Sequence, residues 1–232
     1  MSKKKKQKSV PPTLEEAFGK LSPAEEMTEL AKRATVVDVY GYLQKNERKK
    51  ISKFVYERFN RRYIMPFEKV YRDFNSGFAQ MAACCLMIEA MQSFRYGWNN
   101  TIEDAKKQDG TRMFGGEIFE DFFGIYGESK DFKDFKGLGN EFYSSIRCGI
   151  LHQAEPQNGW LILREGKLYD DVNRSINSTR FRRRMKKCLK QYCDDLEVAE
   201  NDSELWKKFK DKMAFVIRNC HKEEMLKEST NS

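Results

Sequence analysis

With 232 residues, 43 Lys and Arg against 35 Asp and Glu, and a formal charge of +8, the chain is long enough for one substantial core. Its 17 Phe and 10 Tyr exclude a disordered polypeptide, and the positive excess makes a polyanion a reasonable partner. Six cysteines without a C-x-x-C pair, beside only two histidines, give neither zinc-ligand spacing nor a disulfide framework, so no metal or cofactor is expected and a reducing, cytoplasmic setting fits best.

Residues 1–12 read as a disordered basic tail, in which Lys3 to Lys8 is followed by Ser9-Val10-Pro11-Pro12 instead of a signal peptide's apolar region. Thr13 with Glu15 and Glu16 marks a helix start, and Ser22-Pro23-Ala24-Glu25 supplies an N-cap, a proline at N1 and a capping-box acid for the next helix. Val36 to Tyr63 continues with helical periodicity, broken at Asn46. Residues 13–65 are thus expected to form an N-terminal helical extension.

A helical bundle is expected over 66–198. Phe67 to Asn75 and Phe78 to Trp98 read as helices, the second so apolar that it belongs at the centre, with Glu89 and Arg95 as charges that need partners. Its longest apolar run, Met81 to Ile88, falls far short of the ~18 residues of a membrane span, so no membrane partner is expected. Asn99 to Gly116 carries turn residues and reads as a long, mobile loop. Ile118, Phe119, Phe122, Phe123 and Tyr126 form an aromatic helix face, Gly137 to Gly139 is a break, and Pro156 ends the following helix at the latest. Trp160 to Tyr169, with a Gly166 turn, predicts a short β-hairpin, the only strand signal. Ser178 to Val198 and Ser203 to Cys220 return to helix. The last forms a C-terminal element (199–222) packed on the bundle, before a flexible tail at 223–232. The fold class expected is all-α, mostly helical.

The segment Phe142-Tyr143-Ser144-Ser145-Ile146-Arg147-Cys148-Gly149-Ile150-Leu151-His152-Gln153 carries the chemistry. Histidine gives or takes a proton near neutral pH, and the planar arginine fork fits phosphate oxygens. Positions five apart on a helix diverge by about 140°, so Arg147 and His152 do not share one face, and a second copy related by a two-fold axis is a way to complete the pair. Gly149 is expected to admit close helix approach.

This segment resembles the R-x4-6-H signature of the HEPN family, and the resemblance covers roughly residues 66–196. It implies an all-helical, HEPN-like bundle and a metal-independent endoribonuclease site composed across a homodimer, with Arg147 and His152 as catalytic residues and toxin-like or phage-defence biology. One departure is Cys148, where many active members place Asn, Asp or His. On this reading His152 serves as general base or acid for attack of a ribose 2′-hydroxyl, and Arg147 neutralises the pentavalent transition state, leaving a 2′,3′-cyclic phosphate. Glu89, Arg95, Tyr143 and Cys148 are supporting candidates. Arg180, Arg182, Arg183, Arg184, Lys186 and Lys187, interleaved with Phe181, suit RNA binding, and a solvated helix face is the competing reading. Two further readings stand open: a non-catalytic RNA- or nucleotide-binding module, and a dimerising partner domain, with an antitoxin or regulator as a further partner.

Overall fold

The computed structural model describes residues 10–68, 76–101, 103–107, 109–128 and 132–222. Helix accounts for 63% and strand for 7%, which makes the chain mostly helical. The expected tails at 1–12 and 223–232 and the expected helix at Phe67 to Asn75 fall largely outside the described residues.

The N-terminal elements start where their capping chemistry lies. Thr13 and Glu16 form a capping box at α1 (Leu14–Phe18), and Ser22 and Glu25 form another at α2 (Pro23–Glu26). A hairpin that sequence periodicity does not show comes next, β1 (Glu29–Ala31) antiparallel to β2 (Ala34–Thr35); strands this short carry too few alternations to register. Thr35 then caps α3 (Val36–Gln44), and Asn46, at φ 51, separates it from α4 (Arg48–Phe59). α4 runs into a π-helical turn, Asn60–Ile64, closed by the Met65 N–H donating to the Asn60 carbonyl.

The central helix is α5 (Gly77–Tyr96), with Met81, Cys84, Cys85, Met87, Ile88 and Met91 all buried, stopping at left-handed Gly97. After it come α6 (Gly115–Gly127), α7 (Gly139–Phe142), a second π-helical turn at Tyr143–Arg147, and α8 (Cys148–Gln153). The 99–116 segment is less free than its composition suggests. Ala105 and Met113 pack with Trp98 and Ile118, and the Trp98 indole donates to the Lys106 carbonyl at 3.2 Å.

The hairpin expected at 160–169 is corrected to a three-stranded sheet. β3 (Leu161–Leu163) and β4 (Tyr169–Asp170) do not pair with each other, because β5 (Ser175–Asn177) lies between them, parallel to β3 and antiparallel to β4. β5 contains one apolar residue, the fully buried Ile176, so no periodicity announces it. α9 (Ser178–Val198) and α10 (Glu204–Arg218) complete the chain, both within a residue or two of the expected bounds.

A single cluster of buried side chains runs from Ala17 to Ile217, so the N-terminal elements and α10 share the core of the bundle. At its centre Phe119, Phe122, Phe123, Phe142 and Phe181 are all 0% exposed and meet mainly in edge and tilted contacts, such as Phe123 on Phe142 at 5.2 Å. α5 and α9 run parallel, since Arg182 bonds Gln80 near one end and Arg95 bonds Asp195 near the other.

Candidate active site around Arg147

The π-helical turn sets the position of Arg147. The Cys148 N–H donates to the Tyr143 carbonyl, five residues back, and this wider turn rotates α8 relative to α7. It is held from outside: Gln157 N–H donates to the Ser145 carbonyl at 2.8 Å, and the Asn158 side chain to Ser145 Oγ at 2.9 Å. Ile146 and Ile150 point into the core, which turns Arg147 toward α5.

There it meets Glu89. Arg147 Nε donates to Glu89 Oε1 at 2.7 Å and Nη2 to Oε2 at 3.4 Å, with only 19% and 15% of the two side chains exposed. Burial works against the guanidinium charge, but the Glu89 hydrogen bond and charge outweigh it and hold Arg147 above its ordinary pKa. The charge on Glu89 is thereby accounted for. Two of the five guanidinium N–H groups are taken, and among the described residues no hydrogen bond is made by Nη1. The Tyr143 ring lies 5.4 Å from the guanidinium and packs on Phe119; burial first, and Cys148 next, push its phenol upward. α6 accommodates that ring because Gly115 has no Cβ to collide with it. Cys148, half-buried, sits beside Tyr143 and Arg147.

Other candidates go elsewhere. His152 is exposed at the end of α8, and among the described residues no hydrogen bond or ion pair joins it to Arg147 within one chain. Arg95 is drawn to α9 and α6, with Asp195 and Tyr126 each at 3.3 Å and the Tyr192 ring at 5.2 Å, so it knits helices together and does not support Arg147. Gly149 faces its own chain: a Cβ there would lie 2.5 Å from the Glu155 carbonyl oxygen. It makes room for the returning 155–157 loop, not for a second helix.

The basic run divides by burial. Arg182 is 7% exposed, donates to Gln80 at 3.1 Å and pairs with Glu68 at 3.7 Å; burial lowers its pKa, partly countered by Glu68. A guanidinium committed in this way is an internal tie and unavailable to RNA. Lys186 shares Glu68 at 2.7 Å. Arg180, Arg183 and Lys187 are exposed and Arg184 half-buried. Gln80 and Glu89 lie nine residues apart on α5, hence on opposite faces. The basic run of α9 therefore packs on the side of α5 away from Arg147.

Sequence reasoning overlooked two exposed leucines that flank the ion pair, Leu86 (46% exposed) and Leu151 (47%). Leu86 is three residues before Glu89 and Leu151 four after Arg147, each one helical turn away on the same side. Among the described residues no cluster of His, Cys, Asp and Glu is fit to hold a metal, and no helix is long and apolar enough to cross a membrane. This chain matches no protein-family model, no curated protein and no solved structure.

Proposed function

We propose that the chain is a metal-independent endoribonuclease of the HEPN type, with one active site composed from two copies. The observation that carries this reading is the Arg147–Glu89 pair. A guanidinium is fixed by a carboxylate at 2.7 Å, beside an aromatic ring and next to an exposed histidine helix end, with apolar Leu86 and Leu151 available to a second copy. The two-fold partner supplies what one chain lacks, an imidazole opposite the Nη1 edge.

In the reaction, His152 takes the proton of a ribose 2′-hydroxyl, whose oxygen attacks the adjacent phosphorus. The bond to the 5′-oxygen of the next nucleotide breaks, that oxygen takes a proton, and a 2′,3′-cyclic phosphate remains. Arg147 meets the charge that grows on the non-bridging oxygens, and Glu89 keeps its fork from rotating. DNA, without the 2′-hydroxyl, is not cut.

The test is cleavage of labelled single-stranded RNA in EDTA. Arg147→Ala and His152→Ala are each expected to reduce cutting by about 10²–10³-fold while both remain folded by circular dichroism. Undiminished cutting by either variant contradicts the assignment.

A second reading is favoured by one observation: Glu89 cancels much of the Arg147 charge, and among the described residues no hydrogen bond orients His152. On that basis the chain is a non-catalytic RNA- or nucleotide-binding module. It predicts RNA binding that is equal in wild type and His152→Ala, with no cleavage by either.

A further inference from the structure

The N-terminal elements build a feature that RNA cleavage does not use. The β1–β2 turn, α3, α4 and the first π-helical turn border a half-open cleft of about 550 Å³, within the roughly 300–1,000 Å³ of small-molecule sites. We propose that it binds a nucleoside polyphosphate.

Charge is the first observation. Lys32, Arg33, Lys50, Lys53 and Arg61 line the cavity with a single carboxylate, Glu57. Arg61 engages Glu57 at 3.1 Å, and Lys50 is answered by Glu47 from outside at 2.9 Å. Among the described residues, the side chains of Lys32, Arg33 and Lys53 have no acidic partner. Glu29 accepts from the Arg33 backbone N–H at 3.3 Å, yet cations still outnumber acids around the cleft, and a bound polyanion relieves their repulsion. They surround one concavity of small-molecule size instead of tracking a groove, which favours a compact polyanion over a nucleic-acid strand.

The backbone holds this charge in place at a cost. Lys32 and Arg33 form the two-residue connection between β1 and β2, and Arg33 sits at φ 58, in the left-handed region where such turns favour Asn or Gly. The turn is pinned over α4 because the Arg58 and Arg62 side chains both donate to the Leu30 carbonyl, at 2.6 and 3.2 Å. A strained turn fixed in this manner is a positioning device for two cations.

The remaining wall suits the nucleoside. Ala34, Phe54 and Met65 give an apolar side, and Asn60 stands beside them. Its Oδ1 is shut from the cleft as it is from water, so the amide backs this wall, and a nucleoside would rest on the apolar side chains. None of these residues is a partner of Arg147, so the site stands or falls apart from the cleavage reading.

The experiment is titration calorimetry of the full chain with ATP, GTP, pyrophosphate and a short single-stranded RNA. ATP or GTP is expected to bind in the micromolar range. Lys53→Glu should weaken binding by about tenfold or more. Arg33→Gly should weaken it as well while leaving Tm unchanged or higher, since glycine accepts φ 58 freely. Failure of both nucleotides to bind, or equal binding by both variants, overturns the proposal. Pyrophosphate binding as tightly as ATP removes the nucleoside from it and overturns it too. RNA binding that ATP does not displace and that Lys53→Glu abolishes assigns the cavity to nucleic acid instead.

Discussion

The two π-helical turns use the same backbone devices and opposite electrostatics. Tyr143–Arg147 ends in an arginine locked to a largely buried carboxylate, and Asn60–Ile64 contains Arg61, whose partner Glu57 is 35% exposed, within a surplus of cations. Each region also carries a non-glycine residue at φ 58, Ala154 after α8 and Arg33 before β2. An immobile guanidinium is suited to chemistry, where geometry matters most. A surplus of cations over acids around a cleft is suited to holding an anion. The same residue type is thus suited to different ends according to how deeply its acid partner is buried and how many cations stand beside it.

The sharpest way to break that contrast is to neutralise the two acids. Glu89→Gln leaves a half-buried guanidinium without its counter-charge and is expected to cost about 1–3 kcal/mol in urea unfolding, with a loss of RNA cleavage. Glu57→Gln, at a half-exposed i,i+4 pair, should cost no more than about 0.5 kcal/mol. Equal effects would erase the distinction between the turns.

Alkaline pH probes the core that both regions share. Burial pushes Cys84 and Cys193 up to about 12 and also holds Cys85 well above the ordinary thiol range. These thiols stay protonated in the folded chain while the unfolded chain releases protons from about pH 8.5 upward. Their contribution is complete below that pH and is lost as pH rises toward about 12, at up to about 1.4 kcal/mol per unit for each group. Lys212, lowered to about 8 by burial and then by Arg58, pulls the other way at the start of this window but is outnumbered. Thermal unfolding from about pH 8 to about pH 11 should therefore show a falling Tm, and a rising one would contradict the assigned burial. Smaller still, Ala154→Gly should raise stability by up to about 1 kcal/mol by relieving the left-handed cap beside His152.

Much of this architecture is legible in the residues. Capping boxes at Thr13 and Ser22, the Asn46 break, the apolar α5 and the bounds of α9 all come from local chemistry that tertiary contacts reinforce. β5 was hidden because Ser-Ile-Asn is a strand only between two neighbours. The split within Arg180 to Lys187 was hidden too, since only the packing of α9 on α5 sends Arg182 inward. The pairing of Glu89 with Arg147 joins positions 58 residues apart, and spacing cannot specify it. That Arg95 looked equally eligible shows the limit: both charges lie on α5, and which one faces α8 depends on the neighbours that surround the helix.

If Arg147 of one copy works with His152 of another, mixed dimers reveal it without a structure of the pair. Co-expressed chains, one carrying Arg147→Ala and the other His152→Ala, retain one intact pairing across the two-fold axis. Purified mixed dimers are expected to regain RNA cleavage while both parent homodimers stay inactive. Mixed dimers as inactive as the parents, beside an active wild type, would contradict a site shared between copies.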